Sequence, residues 1–327
     1  MSSQEFESAD RPTPLVSVSV TTYNLEKWLP RALDSILAQR TTFPIEIVIG
    51  DDGSQDESVK IAQSYRERHP NVIRVLERSK NVGIQRNTYE TLDQCRGKYT
   101  AWLDADDYWT DPEKLAIQVE TMESDPTISI CGHFTREVMV DGQINRPRVL
   151  ASLAPGRYGI DELLRHNLMT PAAVMFRTGI HRQLPTWYFD LKSLSDWPIW
   201  VLAAQTGDIV LLDRVMADCM LTPNSSFMAQ SPVFRHAMVA KFYELVESII
   251  PSRWHRLVRA RKGAQYESIA YFLRKQGDFV ASREAAVKAF LSPSLKDNVG
   301  SKSKALLASV VREVQWRLRN GRTASAR

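Results

Sequence analysis

Asp104, Asp106 and Asp107 stand within four residues, between the β-prone run Tyr-Thr-Ala-Trp-Leu and a helix start. Carboxylates this close repel one another unless positive charge sits among them. A hard, oxygen-preferring divalent cation, Mg2+ or Mn2+, suits them. Such ions accept one or two carboxylates and complete their shell with substrate phosphates. Taken alone, an Asp-x-Asp triplet is common and reads first as a solvated acidic turn. A second acidic pair, Asp51-Asp52, closes the apolar run 45–50. The three cysteines, Cys95, Cys131 and Cys219, are scattered without a Cys-x-x-Cys pair, so neither a zinc site nor a disulfide framework is expected, and a reducing cytoplasm fits.

The elements that must hold these acids alternate. Residues 15–21 read as a buried strand, and 26–39 carry apolar residues at helical spacing. The strand 45–52 is followed by a polar helix over 54–68, with Ser54 as its N-cap. A strand over 71–78, a helix over about 85–95 and a strand over 98–105 follow. Asp111-Pro112 then opens another helix, with aspartate as N-cap and proline in the first turn. This strand–helix alternation predicts an α/β fold with a mostly parallel sheet between helices. Ligands of such sheets bind beyond the carboxyl ends of the strands, where both acidic groups lie. Further on, 128–150 reads as strand, Asp141-Gly142 turn and strand. Residues 172–177 and 209–215 read as strands and 194–206 as a helix.

The stretches VSVSVTTYN (16–24), IVIGDDGSQDES (47–58), NVGIQRN (81–87), GKYTAWLDADDYWTDPEKLAIQ (97–118) and SDWPIW (195–200) resemble the family 2 glycosyltransferases of GT-A fold, in particular a bacterial branch acting on surface polysaccharides. The resemblance covers about two thirds of the chain. It implies an inverting, metal-dependent transfer of a sugar from a nucleotide diphosphate donor to a glycan or lipid-linked acceptor. UDP is the implied nucleotide, with GDP and dTDP open. The resemblance gives Thr21 and Asp52 to the nucleotide base, and Asn81 and Asn87 to the surroundings of the donor. It gives Asp106 to a Mn2+ or Mg2+ ion and Asp104 to the ribose or that metal. Asp107 is expected to cap the following turn. Asp196 falls at the position of the catalytic base, although it also reads as a helix N-cap. His166, in the segment 166–177 where the family builds its acceptor pocket, reads as structural. One departure stands out. Where the family has tyrosine, arginine and histidine before Pro-Asn-Ser, this chain has Cys219, Met220 and Thr222. A catalytically silent sugar-nucleotide-binding or scaffolding protein is therefore the alternative. A nucleotidyltransferase would want a glycine-rich phosphate loop after the first strand, and TTYNLEKW contains no glycine.

The charge is uneven. Residues 231–327 hold 19 Lys and Arg against 7 Asp and Glu, whereas residues 1–230 hold 23 against 31. The expected organisation is a disordered lead-in at 1–12, a GT-A domain at 13–230 and a basic helical region at 231–327, including a helical hairpin within 266–295 and a last helix at about 302–319. No apolar run is long enough to span a membrane, and the polar N-terminus lacks a signal-peptide core. The basic region is either a solvated appendage or an attraction to an anionic membrane surface through clusters such as 253–262, placing the enzyme peripherally at the inner face of the plasma membrane. No nucleic-acid motif accompanies the charge, and no nucleic-acid partner is expected.

Overall fold

The computed structural model describes residues 13–149, 153–222, 227, 229–293 and 307–316. The expected lead-in at 1–12 and the Pro223-Asn224-Ser225 segment lie outside them. Two compact units result, one of residues up to 189 with 195–222, the other of 190–194 with 223 onward.

The first unit is built on one twisted sheet. Strands β1 (Val16–Thr22), β2 (Ile45–Asp51), β3 (Ile73–Glu77) and β4 (Tyr99–Asp104) are parallel, in the order β3-β2-β1-β4. Helices α1 (Leu29–Leu37), α2 (Ser58–Arg68) and α3 (Ile84–Asp93) make the crossovers. All seven residues of β1 are buried, as befits a central parallel strand covered on both faces. The α2 helix starts at Ser58 rather than at 54, because Ser54 hydrogen-bonds back to Asp51 through its amide and hydroxyl (2.8 and 2.6 Å).

After β4 the chain makes the two-residue β5 (Tyr108–Trp109) and then α4 (Lys114–Ser124). Asp111 accepts the Glu113 amide (2.9 Å) in a short turn ahead of that helix, so the helix begins at Lys114, two residues later than Asp111-Pro112 suggests. The long β6 (Ile128–Met139) pairs with β7 (Ile144–Arg146) across the expected Asp141-Gly142 turn. Then come β8 (Gly156–Tyr158), α5 (Ile160–Arg165), β9 (Met175–Arg177), α6 (Trp197–Ala203) and β10 (Asp208–Leu221). Strand β9 lies antiparallel between β4 and β6, and β10 runs parallel to β6. The carboxyl ends of β1, β2, β4, β6 and β10 therefore share one edge.

The second unit is helical: α7 (Pro232–Val246), α8 (His255–Gln276) and α9 (Phe279–Leu291), with a further helical segment at 307–316. Gly277 ends α8 in the left-handed conformation (φ +85°), and the Asp278 carboxylate caps α9 by accepting the Ala281 amide (3.0 Å).

Candidate active site

The parallel ladder sets the geometry. Thr21 of β1 is the register partner of Asp104 of β4, and Thr22 is the partner of Asp51. The Thr21 hydroxyl donates to Asp104 Oδ1 (2.6 Å), and the Trp102 indole donates to the same oxygen (3.1 Å). The chain then turns tightly, with the Asp107 amide on the Asp104 carbonyl (2.9 Å). Asp106 Oδ2 accepts from the Thr222 hydroxyl (3.2 Å) just past the end of β10. Asp107 accepts the Met220 amide (2.8 Å), so it ties β10 to the turn as well as closing it.

These acids are electrostatically starved. Burial raises the Asp104 carboxyl above the usual carboxylate range, against the pull of its Thr21 and Trp102 hydrogen bonds. Burial, with the nearby charge of Asp104, pushes Asp106 up to about 6. Asp107 is raised well above the ordinary range by burial and by both neighbours. No lysine, arginine or histidine lies within ion-pair distance of Asp104, Asp106 or Asp107 among the described residues. Nor, among the described residues, do three His, Cys, Asp or Glu side chains converge as a ready-made metal cage. The donor set is two carboxylates and a hydroxyl, all hard oxygens, with charge left to neutralise. It fits an ion that brings phosphate and water ligands with it.

Asp52 follows β2. Its carboxylate accepts the amides of Val82 (2.7 Å) and Gly83 (3.1 Å). Burial raises its pKa, while those amides and the Arg78 charge hold it back. Asn81 is exposed and accepts the Gly83 amide (3.0 Å), bracing the same loop. Asn87 is buried, and its Nδ2 donates to the Gly50 carbonyl (2.9 Å). It therefore braces β2 against α3.

Asp196 caps α6: its Oδ1 accepts the Trp197 amide (2.7 Å), and its Oδ2 accepts from Asn167 Nδ2 (2.8 Å). Burial raises its pKa, both hydrogen bonds lower it, and the charge of Asp104 adds a smaller push upward. The two acids thus stand within electrostatic reach of one another across 92 residues of sequence. The Tyr188 hydroxyl steadies this segment by donating to the Ser195 carbonyl (3.1 Å).

Two residues with site contacts carry no signal in the sequence. Asn167 adjoins His166, whose ring faces Glu162 (3.5 Å). Thr222 stands where the family has histidine, yet its hydroxyl reaches Asp106. Cys219 and Met220 are absorbed into packing. The Cys219 thiol contacts the Thr170 hydroxyl (3.4 Å), and Met220 packs with Tyr108 and Val138. Beside them Arg136 makes a bidentate pair with Asp218 (2.5 and 2.8 Å), which also accepts the Tyr108 hydroxyl (2.5 Å). That network clamps β5, β6 and β10 together next to Asp106.

Residues 17–184 match the family described as Glycosyl transferase family 2. An uncharacterized protein of Mycobacterium tuberculosis is 35% identical over 207 residues, 62% of this chain and 57% of its own length. The chain thus spans little more than half of that relative. Among solved structures, S. aureus TarS 1-349 in complex with UDP-GlcNAc superposes with a TM-score of 0.60 at 17% identity, covering 94% of this chain and 92% of that one. A mannosyltransferase from Pyrobaculum calidifontis in complex with GDP-Man and Mn2+ gives a TM-score of 0.60 at 18% identity, covering 93% and 88%. At such identities the likeness shows the shared GT-A fold.

Proposed function

The chain belongs to glycosyltransferase family 2, and from that premise we propose that it is an inverting transferase moving a sugar from a nucleotide diphosphate donor to an acceptor hydroxyl. The observation that carries this reading is the pairing of Asp104 and Asp106 at one strand edge with a half-buried, hydrogen-bonded Asp196 within electrostatic reach. Thr21 and Asp52 line the nucleotide side. Asp106 and Asp104 hold Mg2+ or Mn2+, with Thr222 steadying Asp106. When bound, the ion offsets charge on the departing diphosphate.

Asp196 is the base. An acceptor hydroxyl attacks the anomeric carbon from the face opposite the nucleotide. As the new C–O bond forms, the bond to the diphosphate oxygen breaks with its electron pair, and the hydroxyl proton passes to Asp196. Asn167 and the Trp197 amide each use one lone pair of that carboxylate, which fixes its plane and leaves the others free to take the proton. The donors held by the two solved neighbours, UDP-GlcNAc and GDP-Man, leave the nucleotide of this chain to experiment. The acceptor proposed is a glycan or lipid-linked saccharide of a bacterial surface polysaccharide, met at an anionic membrane face.

Product analysis tests the reading. Incubation with UDP-, GDP- and dTDP-sugars plus Mn2+ should release nucleoside diphosphate. Asp196→Asn should lose about 100- to 10,000-fold in rate while still binding donor. Pyrophosphate release, or an Asp196→Asn enzyme as fast as the wild type, would overturn it. Donor binding with no turnover on any acceptor would favour a silent sugar-nucleotide-binding protein.

A further inference from the structure

The helical segment at 307–316 packs the wrong way round for an ordinary surface helix. Such a helix turns its apolar stripe inward and its polar face to water. Here the inward positions are polar: Ser309 is fully buried and Glu313 is 2% exposed. The Arg274 guanidinium donates to Ser309 Oγ (2.9 Å), Ser282 Oγ lies 3.2 Å from that hydroxyl, and Arg283 pairs with Glu313 (3.0 Å). The apolar residues point out. Leu307, Val310, Val311 and Val314 recur at i, i+3, i+4 and i+7 and are 37–64% exposed. All four are aliphatic, whereas Trp316 falls on the inward side with Ser309 and Glu313, its ring 6.5 Å from that of Phe279.

We propose that this outward stripe is an interfacial anchor that lies in the headgroup–acyl boundary of an anionic bilayer. Charge selects this occupant. Around the stripe the sequence places Lys302, Lys304, Arg312, Arg317, Arg319 and Arg322, against the single acid Glu313, which is buried and paired. An aliphatic stripe with flanking cations is the signature of a helix that lies in a membrane surface. A second copy of the chain would bring another region of 19 cations against 7 acids to the same face, and like charge opposes that. The anchor also refines the expected attraction through 253–262. Arg259 there is ion-paired with Glu247, and Lys262 lies 3.8 Å from Glu244, so part of that cluster is already neutralised. The purpose of the anchor, presenting the enzyme to a lipid-linked acceptor, rests on the sugar-transfer reading. Its binding to lipid does not.

The test is flotation of the full chain with vesicles of phosphatidylcholine alone and of phosphatidylcholine mixed with phosphatidylglycerol. The chain should float with the anionic vesicles only, and molar salt should weaken it. Val310→Asp combined with Val314→Asp alters only outward positions. It should cut vesicle binding at least about tenfold, with the circular dichroism spectrum unchanged. Arg312→Glu should weaken binding by a smaller factor. A wild-type chain that fails to float, or a double variant that floats equally well, overturns the proposal. So does a wild-type dimer that the double variant converts to monomer while vesicles bind neither, because the stripe is then a self-association face. Nucleoside diphosphate release from a soluble donor is assayed without vesicles, so failure of the anchor and failure of the transferase reading give separate results.

Discussion

As the proposed base, Asp196 depends on Asn167 to hold it. The Asn167 amide donates to a carboxylate that burial already raises above its ordinary pKa, and a hydrogen bond to the charged form favours that form. Asn167→Ala removes the donor, so the base protonates at higher pH. The acidic limb of the kcat/KM profile should move up by about one pH unit, the equivalent of roughly 1.4 kcal/mol. An unmoved limb with a uniformly lower rate would mean that Asn167 serves folding alone. Thr222 makes the parallel case on the phosphate side. Thr222→Val keeps the volume and removes the hydroxyl that reaches Asp106, so Mn2+ affinity in the presence of nucleotide should fall several-fold. Titration followed by water-proton relaxation measures this, and Thr222→Ser should restore it. The acids themselves stood out in the sequence because they follow strand patterns. Asn167 did not, since nothing in HNLMTPAA says that folding brings it to Asp196, 29 residues on.

Strands and helices set the tolerances that these side chains depend on. Gly50 of β2 faces α3 so closely that an added Cβ would meet Thr91 Oγ1 at 1.9 Å and Asn87 Oδ1 at 2.8 Å. Gly50→Ala should therefore cost about 1–3 kcal/mol in urea unfolding and loosen the Asp52 turn. A neutral effect would show that α3 yields. Helix α4 carries a quieter device. Lys114 is fully buried, donates to Gln118 (2.6 Å) and lies 4.1 Å over the Trp109 ring. Gln118 and Trp109 then grip the carbonyls of Cys131, Ala173 and Ala172 (2.8–3.0 Å). Burial pushes the lysine down to about 7, from 10.5. Between those values the unfolded chain binds the proton and the folded chain does not, so stability rises with pH across that window. Lys114→Met lacks the proton, and denaturant unfolding should show the wild type gaining on the variant from about pH 7 toward 10.5. A constant difference would contradict the burial argument. Periodicity disclosed the parallel half of the sheet, because βαβ units repeat. It could not disclose that β9 inserts antiparallel between β4 and β6, since strand order is set by long-range packing. Nor could it disclose that β10 runs on to Leu221, because register irregularities after Leu212 and Val215 break the alternation.

The folded protein concentrates desolvated carboxyl groups at one edge. Asp52, Asp104, Asp106, Asp107 and Asp196 are all raised, burial being the first cause in each. A carboxyl whose folded pKa is raised stabilises the fold below its unfolded pKa and loses that contribution as pH climbs through the folded value. For Asp106 the window runs from 3.8 to about 6. The apo protein thus becomes less stable at this edge as pH rises through it, and cation plus nucleotide should restore what is lost. That coupling is read by thermal unfolding at neutral pH with UDP, GDP and dTDP, each with and without Mn2+, in the wild type and in Asp106→Asn. One nucleotide together with Mn2+ should stabilise the wild type by roughly 2.7 kcal/mol at 100 times its Kd, neither alone should match it, and Asp106→Asn should abolish the joint effect. A nucleotide shift indifferent to metal and preserved in Asp106→Asn, or no shift with any nucleotide, would contradict the assignment of this edge to a metal–nucleotide diphosphate donor.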